Sequence, residues 1–201
     1  PGSITAAGDV IWSVGGAQFV VVGSASGTSG QIGYSAAGAS WSASTGVPGT
    51  DAAWGGSGLL ASNGASGMLA VPSNVSNPSV WYSADGGATF TKYATGITTS
   101  AALRGPCWDS YRSTWLVCLQ GSYVYSCANP TSGVWALEAT MPAGFVVEDM
   151  VALPDGRWVA VGDDGLIDST DGGANWEKLG GAITGTKLAQ VDGRLAVFGS
   201  G

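Results

Sequence analysis

No histidine occurs in this 201-residue chain, only 10% of its residues are charged, and seven Lys and Arg face fourteen Asp and Glu. Each shortage removes a class of function. Without histidine the commonest general base and metal ligand is missing. A net charge of −7 with no basic run repels a phosphate backbone and a polybasic mode of membrane binding, so no nucleic-acid partner is expected. No apolar run approaches the roughly 18 residues of a spanning helix, so no membrane insertion is expected. The cysteines are three, Cys107, Cys118 and Cys127, without Cys-x-x-Cys spacing, which does not make a zinc site. Cys118 sits where other segments carry Val22, Val71, Val161 and Phe198, as a buried, inert thiol would. No cofactor and no resident metal are expected. Pro1-Gly2-Ser3 reads as the remnant of a cleaved tag, leaving 4–201 as a single domain.

What is abundant is glycine, 34 residues, more than twice the usual share of about 7%. Combined with 45% apolar residues and nine Trp, this composition suits many short strands joined by tight turns around a real core. The segment MVALPDGRWVAVGDDGLIDSTDGGANWEKL, Met150 to Leu179, recurs upstream with varying fidelity. Its landmark serines fall at Ser35, Ser83, Ser126 and Ser169, spaced by 48, 43 and 43 residues. That period is the period of a four-stranded propeller blade. Alternating runs divided by Gly, Asn, Asp and Ser place blades at about 9–44, 51–93, 105–138 and 149–179, with a half blade at 187–198. The innermost strands are expected to begin at Asp9, Asp51, Gly105, Asp149 and Lys187. The fold class is therefore all-β, a propeller of four complete antiparallel blades plus the two inner strands of a fifth. The unfinished blade leaves a strand edge at Arg194 to Phe198 that is open to self-association.

Ser83-Ala84-Asp85-Gly86-Gly87-Ala88-Thr89-Phe90 and Ser169-Thr170-Asp171-Gly172-Gly173-Ala174-Asn175-Trp176 share one pattern. In it the Asp accepts hydrogen bonds from the turn, Gly supplies positive φ and the aromatic plugs the blade. Ser83, Asp85, Gly87 and Phe90, like Ser169, Asp171, Gly173 and Trp176, are thus framework residues. The pattern resembles the Asp-box, or bacterial neuraminidase repeat. The run VAVGDDGLIDSTDGGANWEKL is similar to the repeats of photosystem II assembly-factor-like propellers and of Asp-box proteins of bacteria and phages. That resemblance implies a binding or structural module. Blades one and three depart from it, with Ala37 where Asp belongs in the first and no Asp in the longer Ser126–Trp135 segment.

A sialidase-like glycoside hydrolase, which the resemblance also suggests, implies three arginines gripping a carboxylate. Of the four present, Arg112, Arg157 and Arg194 read as hairpin residues, and only Arg104 lies near an inner-strand start. Asp163, Asp164, Asp168 and Asp171 could hold Ca²⁺, yet they also read as a solvated turn beside a box. The expectation is a non-enzymatic interaction or structural module of a virion or bacterial surface, binding a protein or glycan ligand; the alternatives are the sialidase-like hydrolase and an assembly factor that binds a partner protein. Its candidate binding site is the channel mouth, where Asp9, Asp51, Arg104, Glu148, Asp149 and Lys187 fall in one ring and Trp12, Trp54 and Trp108 follow three positions on.

Overall fold

A computed structural model describes residues 4–25, 30–46, 59–72, 78–99, 101–121, 123–179, 185–191 and 194–199. Four antiparallel sheets of four strands each are arranged as blades of a propeller ring. Blade one is β1 (Ile4–Ser13), β2 (Gln18–Ala25), β3 (Gly30–Ser35) and β4 (Ser42–Ala43). Blade two is β5 (Leu60–Ser62), β6 (Met68–Ala70), β7 (Ser79–Ser83) and β8 (Thr91–Ala94). β9 (Leu103–Asp109), β10 (Thr114–Leu119), β11 (Tyr123–Cys127) and β12 (Ala136–Thr140) form blade three. β13 (Val147–Ala152), β14 (Trp158–Gly162), β15 (Gly165–Ser169) and β16 (Glu177–Leu179) form blade four. A fifth, two-stranded sheet pairs β17 (Lys187–Val191) with β18 (Arg194–Phe198), the residues expected of the half blade.

The inner strand of blade two differs from expectation. Asp51 to Trp54 lies outside the described residues, and the strand that pairs with Met68–Ala70 is Leu60–Ser62. The cause is local. Asn63 Oδ1 accepts the N–H groups of Ala65 and Gly67, both at 3.0 Å, and folds a tight turn that fixes the register of the hairpin on either side. Matching Asp51 and Trp54 to Asp9 and Trp12 by residue type overlooks that turn.

The core lies between blades. Strands alternate faces, so each blade offers one apolar face to each neighbour. Val20, Val22 and Ile32 of blade one meet Leu59, Met68 and Trp81 of blade two in a cluster that continues to Trp115. Leu116, Cys118 and Val124 of blade three meet Met150, Trp158 and Ala160 of blade four. Val159, Val161 and Leu166 of blade four meet Leu188, Leu195 and Val197 of the half blade. Trp81, Trp115 and Trp158 are almost wholly buried. Truncating any of them to Ala costs about 3–5 kcal/mol. The three thiols are free and buried, and burial pushes those of Cys107 and Cys118 well up, which leaves them protonated and inert.

The two Ser-x-Asp turns have the same internal wiring. Ser83 Oγ donates to Asp85 Oδ1 at 2.7 Å and accepts from Gly87 N–H, while Thr89 donates its N–H and hydroxyl to the same carboxylate. Ser169, Asp171, Gly173 and Asn175 repeat the set, with the Asn side-chain amide replacing the Thr hydroxyl. These donors hold both carboxyls low, that of Asp171 at about 2. Where blade three lacks the Asp, the Ser126 hydroxyl donates at 2.5 Å to Glu138 on β12, so a neighbouring strand supplies the carboxylate. In blade one Ser35 Oγ accepts from Gly38 N–H at 2.8 Å and no carboxylate takes part among the described residues.

Candidate binding site at the channel mouth

The inner strands β1, β5, β9, β13 and β17 follow one another around the ring axis. They enclose a cavity of about 330 Å³ lined by Trp12, Ser62, Trp108, Asp149, Lys187 and Gln190, among others. Apolar and aromatic walls with a few polar groups are the usual make-up of a ligand pocket.

The sequence places an acidic residue at the start of β1 and of β13, and the structure gives both the same task. A register slip between Ala7 and Asp9, and another between Val147 and Asp149, bulges each strand and re-aims these side chains toward the following blade. Asp9 Oδ1 accepts its neighbour's N–H, from Val10 at 2.8 Å, and Oδ2 accepts those of Leu59 and Leu60 in blade two, both at 3.0 Å. Asp149 does likewise with Met150 and, in the half blade, Leu188, both at 2.9 Å. Each carboxylate is therefore a clamp between blades. The matching position in blade three is Gly105 for a steric reason. Its φ is +49° and a Cβ there would lie 2.6 Å from the backbone nitrogen of Met150. In the half blade the position is Lys187, whose ammonium pairs with Asp9 and joins the last sheet to the first.

Burial dominates the electrostatics of this ring. It raises the Asp149 carboxyl to about 7 against the two N–H bonds that favour the anion, with the charge of Glu148 adding to the rise. Burial likewise lowers Lys187 to about 8. Arg104 and Glu148 form a loose pair at 3.9 Å beside the clamp, and Arg104 also donates to the carbonyl of Leu103 at 3.2 Å. Of the six expected mouth residues, Asp149 and Lys187 line the cavity, Asp9 pairs with Lys187, and Arg104 and Glu148 pair with each other. Asp51 is outside the described residues.

The acidic cluster disperses. Asp163 accepts the N–H of Val146, Asp164 pairs with Lys178, Asp168 with Arg157, and Asp171 serves its own turn. Among the described residues no three His, Cys, Asp or Glu converge as metal ligands. Two residues escape a reading of the sequence alone. Ser62 faces the cavity because blade two starts later than expected, which the Asn63-Gly64 turn signals. Asp109, at the end of β9, is fully buried and accepts from Arg112 N–H at 3.0 Å, Arg112 Nη1 at 2.8 Å and Trp158 Nε1 at 2.8 Å. Nothing in its local sequence marks Asp109, since its partners stand three and forty-nine residues away.

No family model matches the sequence, and no curated protein matches it. Solved structures do. The structure of YCF48 bound to D1 peptide aligns with a TM-score of 0.66 and 16% identity, over 97% of this chain and 60% of that one. YCF48 from Cyanidioschyzon merolae aligns at 0.63 and 9%, over 96% and 62%. A GH74 enzyme from Niastella koreensis aligns at 0.56 and 16%, over 95% of this chain and 27% of that one. The likeness is one of fold. The chain spans about 60% of the length of the YCF48 structures, and the group includes an enzyme as well as a peptide-bound protein.

Proposed function

We propose that this chain is a non-enzymatic Asp-box propeller that grips an extended segment of a protein partner at its channel mouth. The observation that carries this reading is the cavity where five inner strands converge, with Trp12 and Trp108 on its wall and Lys187, Gln190 and Ser62 as hydrogen-bonding groups. A rigid ring of strand ends holds such groups without an ordering cost on binding. The D1 peptide bound by YCF48 supports the same class of ligand. The arginines favour binding over glycoside hydrolysis. Arg112 is committed to Asp109, Arg157 to Asp155 and Asp168, and Arg104 to Glu148, so they do not converge on one carboxylate. The proposed location is a virion or bacterial surface, a reading that low charge and Ala/Gly/Ser/Thr-rich composition support.

Peptide and glycan arrays screened side by side test the reading. Binding of peptides, weakened at least tenfold by Trp12→Ala or Gln190→Ala with an unchanged melting temperature, is the expected result. Glycan binding lost in the same variants would replace the partner by a sugar, a reading favoured by the aromatic wall. Turnover of a fluorogenic sialoside that vanishes in Arg104→Ala would overturn the proposal.

A further inference from the structure

Asp9 and Asp149 hold the same post in blades one and four, yet their charges are met differently. Each carboxylate accepts main-chain N–H groups of its own strand and of the next blade. Asp9 also pairs with the ammonium of Lys187. Asp149 has no cation within ion-pair distance among the described residues, although it lines the cavity at the channel mouth. Its surroundings do not supply the charge. Glu148 beside it is an acid, paired with Arg104 on β9. Cys107 and Cys118 approach from blade three, and burial keeps both thiols protonated. Lys187, on β17, is committed to Asp9. Three carboxyls thus face two cations, and the unmatched one is Asp149. Burial, with no counter-charge to offset it, raises that carboxyl to about 7.

The cavity around this carboxyl suits a cation. Trp12 and Trp108 line it, each steadied edge to face by a second ring, Phe19 at 4.8 Å and Trp115 at 5.1 Å. Of the aromatic side chains, indole attracts cations to its face most strongly. Ser62 and Gln190 add oxygen acceptors to the lining. The geometry also selects among cations. Each Asp149 oxygen already accepts a main-chain N–H at 2.9 Å, so the paired sites that a guanidinium fork requires are partly filled. A compact ammonium needs only one free lone pair.

We propose that the channel mouth captures a lysine side chain of its protein partner, with the ammonium on Asp149 and the aliphatic stem against Trp12 and Trp108. This inference rests on the reading of the mouth as a peptide site and names the residue that the site takes. The incoming lysine completes in blade four the ion pair that Lys187 completes in blade one. Because only the ionised carboxyl holds an ammonium, capture strengthens as pH rises through about 7.

The probe is the side chain itself, as N-acetyl-lysine methylamide, set against the uncharged norleucine analogue and the arginine analogue. Binding is read from the indole N–H resonances of Trp12 and Trp108. At about pH 8 the lysine probe is expected to bind at least roughly tenfold more tightly than norleucine, and more tightly than arginine. Its affinity should rise about tenfold from roughly pH 6 to pH 8, while that of norleucine stays flat. In Asp149→Asn both the lysine preference and the pH slope should vanish, and the wild-type ligand series stands on its own should that variant fail to fold. Unshifted indoles, equal affinity for lysine and norleucine, a preference for arginine or a flat pH profile each overturn the inference. Array peptides that bind the mouth equally well with lysine or norleucine leave the peptide site standing and refute the lysine pocket. Lysine capture with no array peptide bound supports the pocket and refutes the extended peptide.

Discussion

Replacing Asp109 by Ala tests whether the ring depends on buried carboxylates that tie one blade to the next. Asp109 is fully buried and accepts three hydrogen bonds, two from Arg112 and one from the indole of Trp158 in the following blade. Its loss strands Trp158 Nε1 in a site that is 1% exposed. An unsatisfied buried donor costs about 1–3 kcal/mol. Breaking the ion pair adds to this, but Arg112 is 34% exposed and regains water, so its share falls well below the roughly 3–5 kcal/mol of a fully buried pair. The sum is about 3 kcal/mol, which for a chain of this size lowers the melting temperature by about 6–12 °C. Asp109→Asn, which keeps one acceptor oxygen, should lose about half as much. Tryptophan fluorescence during thermal and urea unfolding reads both. The decisive control is a cycle with Trp158→Phe, because the two substitutions must be non-additive if they share one bond. A fall under about 2 °C for Asp109→Ala, or full additivity, would refute the argument.

Other outcomes follow from the same geometry. Gly105→Ala forces a Cβ against Met150 at positive φ and should cost roughly 3 kcal/mol, seen as a lowered urea midpoint. With its carboxyl raised to about 7, folded Asp149 keeps a proton that the unfolded chain has already released above its ordinary value of 3.8. Stability from this group therefore falls as pH rises from about 4 to about 7, by at most about 4 kcal/mol, and is flat above. Asp149→Asn should flatten that slope in a urea series across pH. Asp171 acts in the opposite sense, since its carboxyl is held at about 2. Its contribution is complete above 3.8 and is lost as pH falls toward 2, and Asp171→Ala should remove that acid limb.

Much of the ring was legible in the residues because the repeat is written in local chemistry. The strand pairs of blade four and of the half blade are bounded by turn residues that any reading of Gly, Asp and Pro would find, and the Ser-x-Asp turns close within eight residues. Blade two shows where such reading stops. Asp51 and Trp54 have the right types at the expected offset, yet the register is set by the Asn63 turn, which only pairing with Met68–Ala70 makes decisive. Asp9, Asp149 and Lys187 share one offset in the repeat, but the duties of the two carboxylates depend on backbone N–H groups 39 to 51 residues away.

The period and the wiring of the two Ser-x-Asp turns are written in the chain itself, because they rest on contacts between residues close in sequence. Only tertiary packing decides which carboxylates are clamps, that Glu138 stands in for a missing Asp, and that Lys187 reaches Asp9. Those facts depend on where successive blades are brought by the twist of each sheet, and no pattern within one blade records the position of the next.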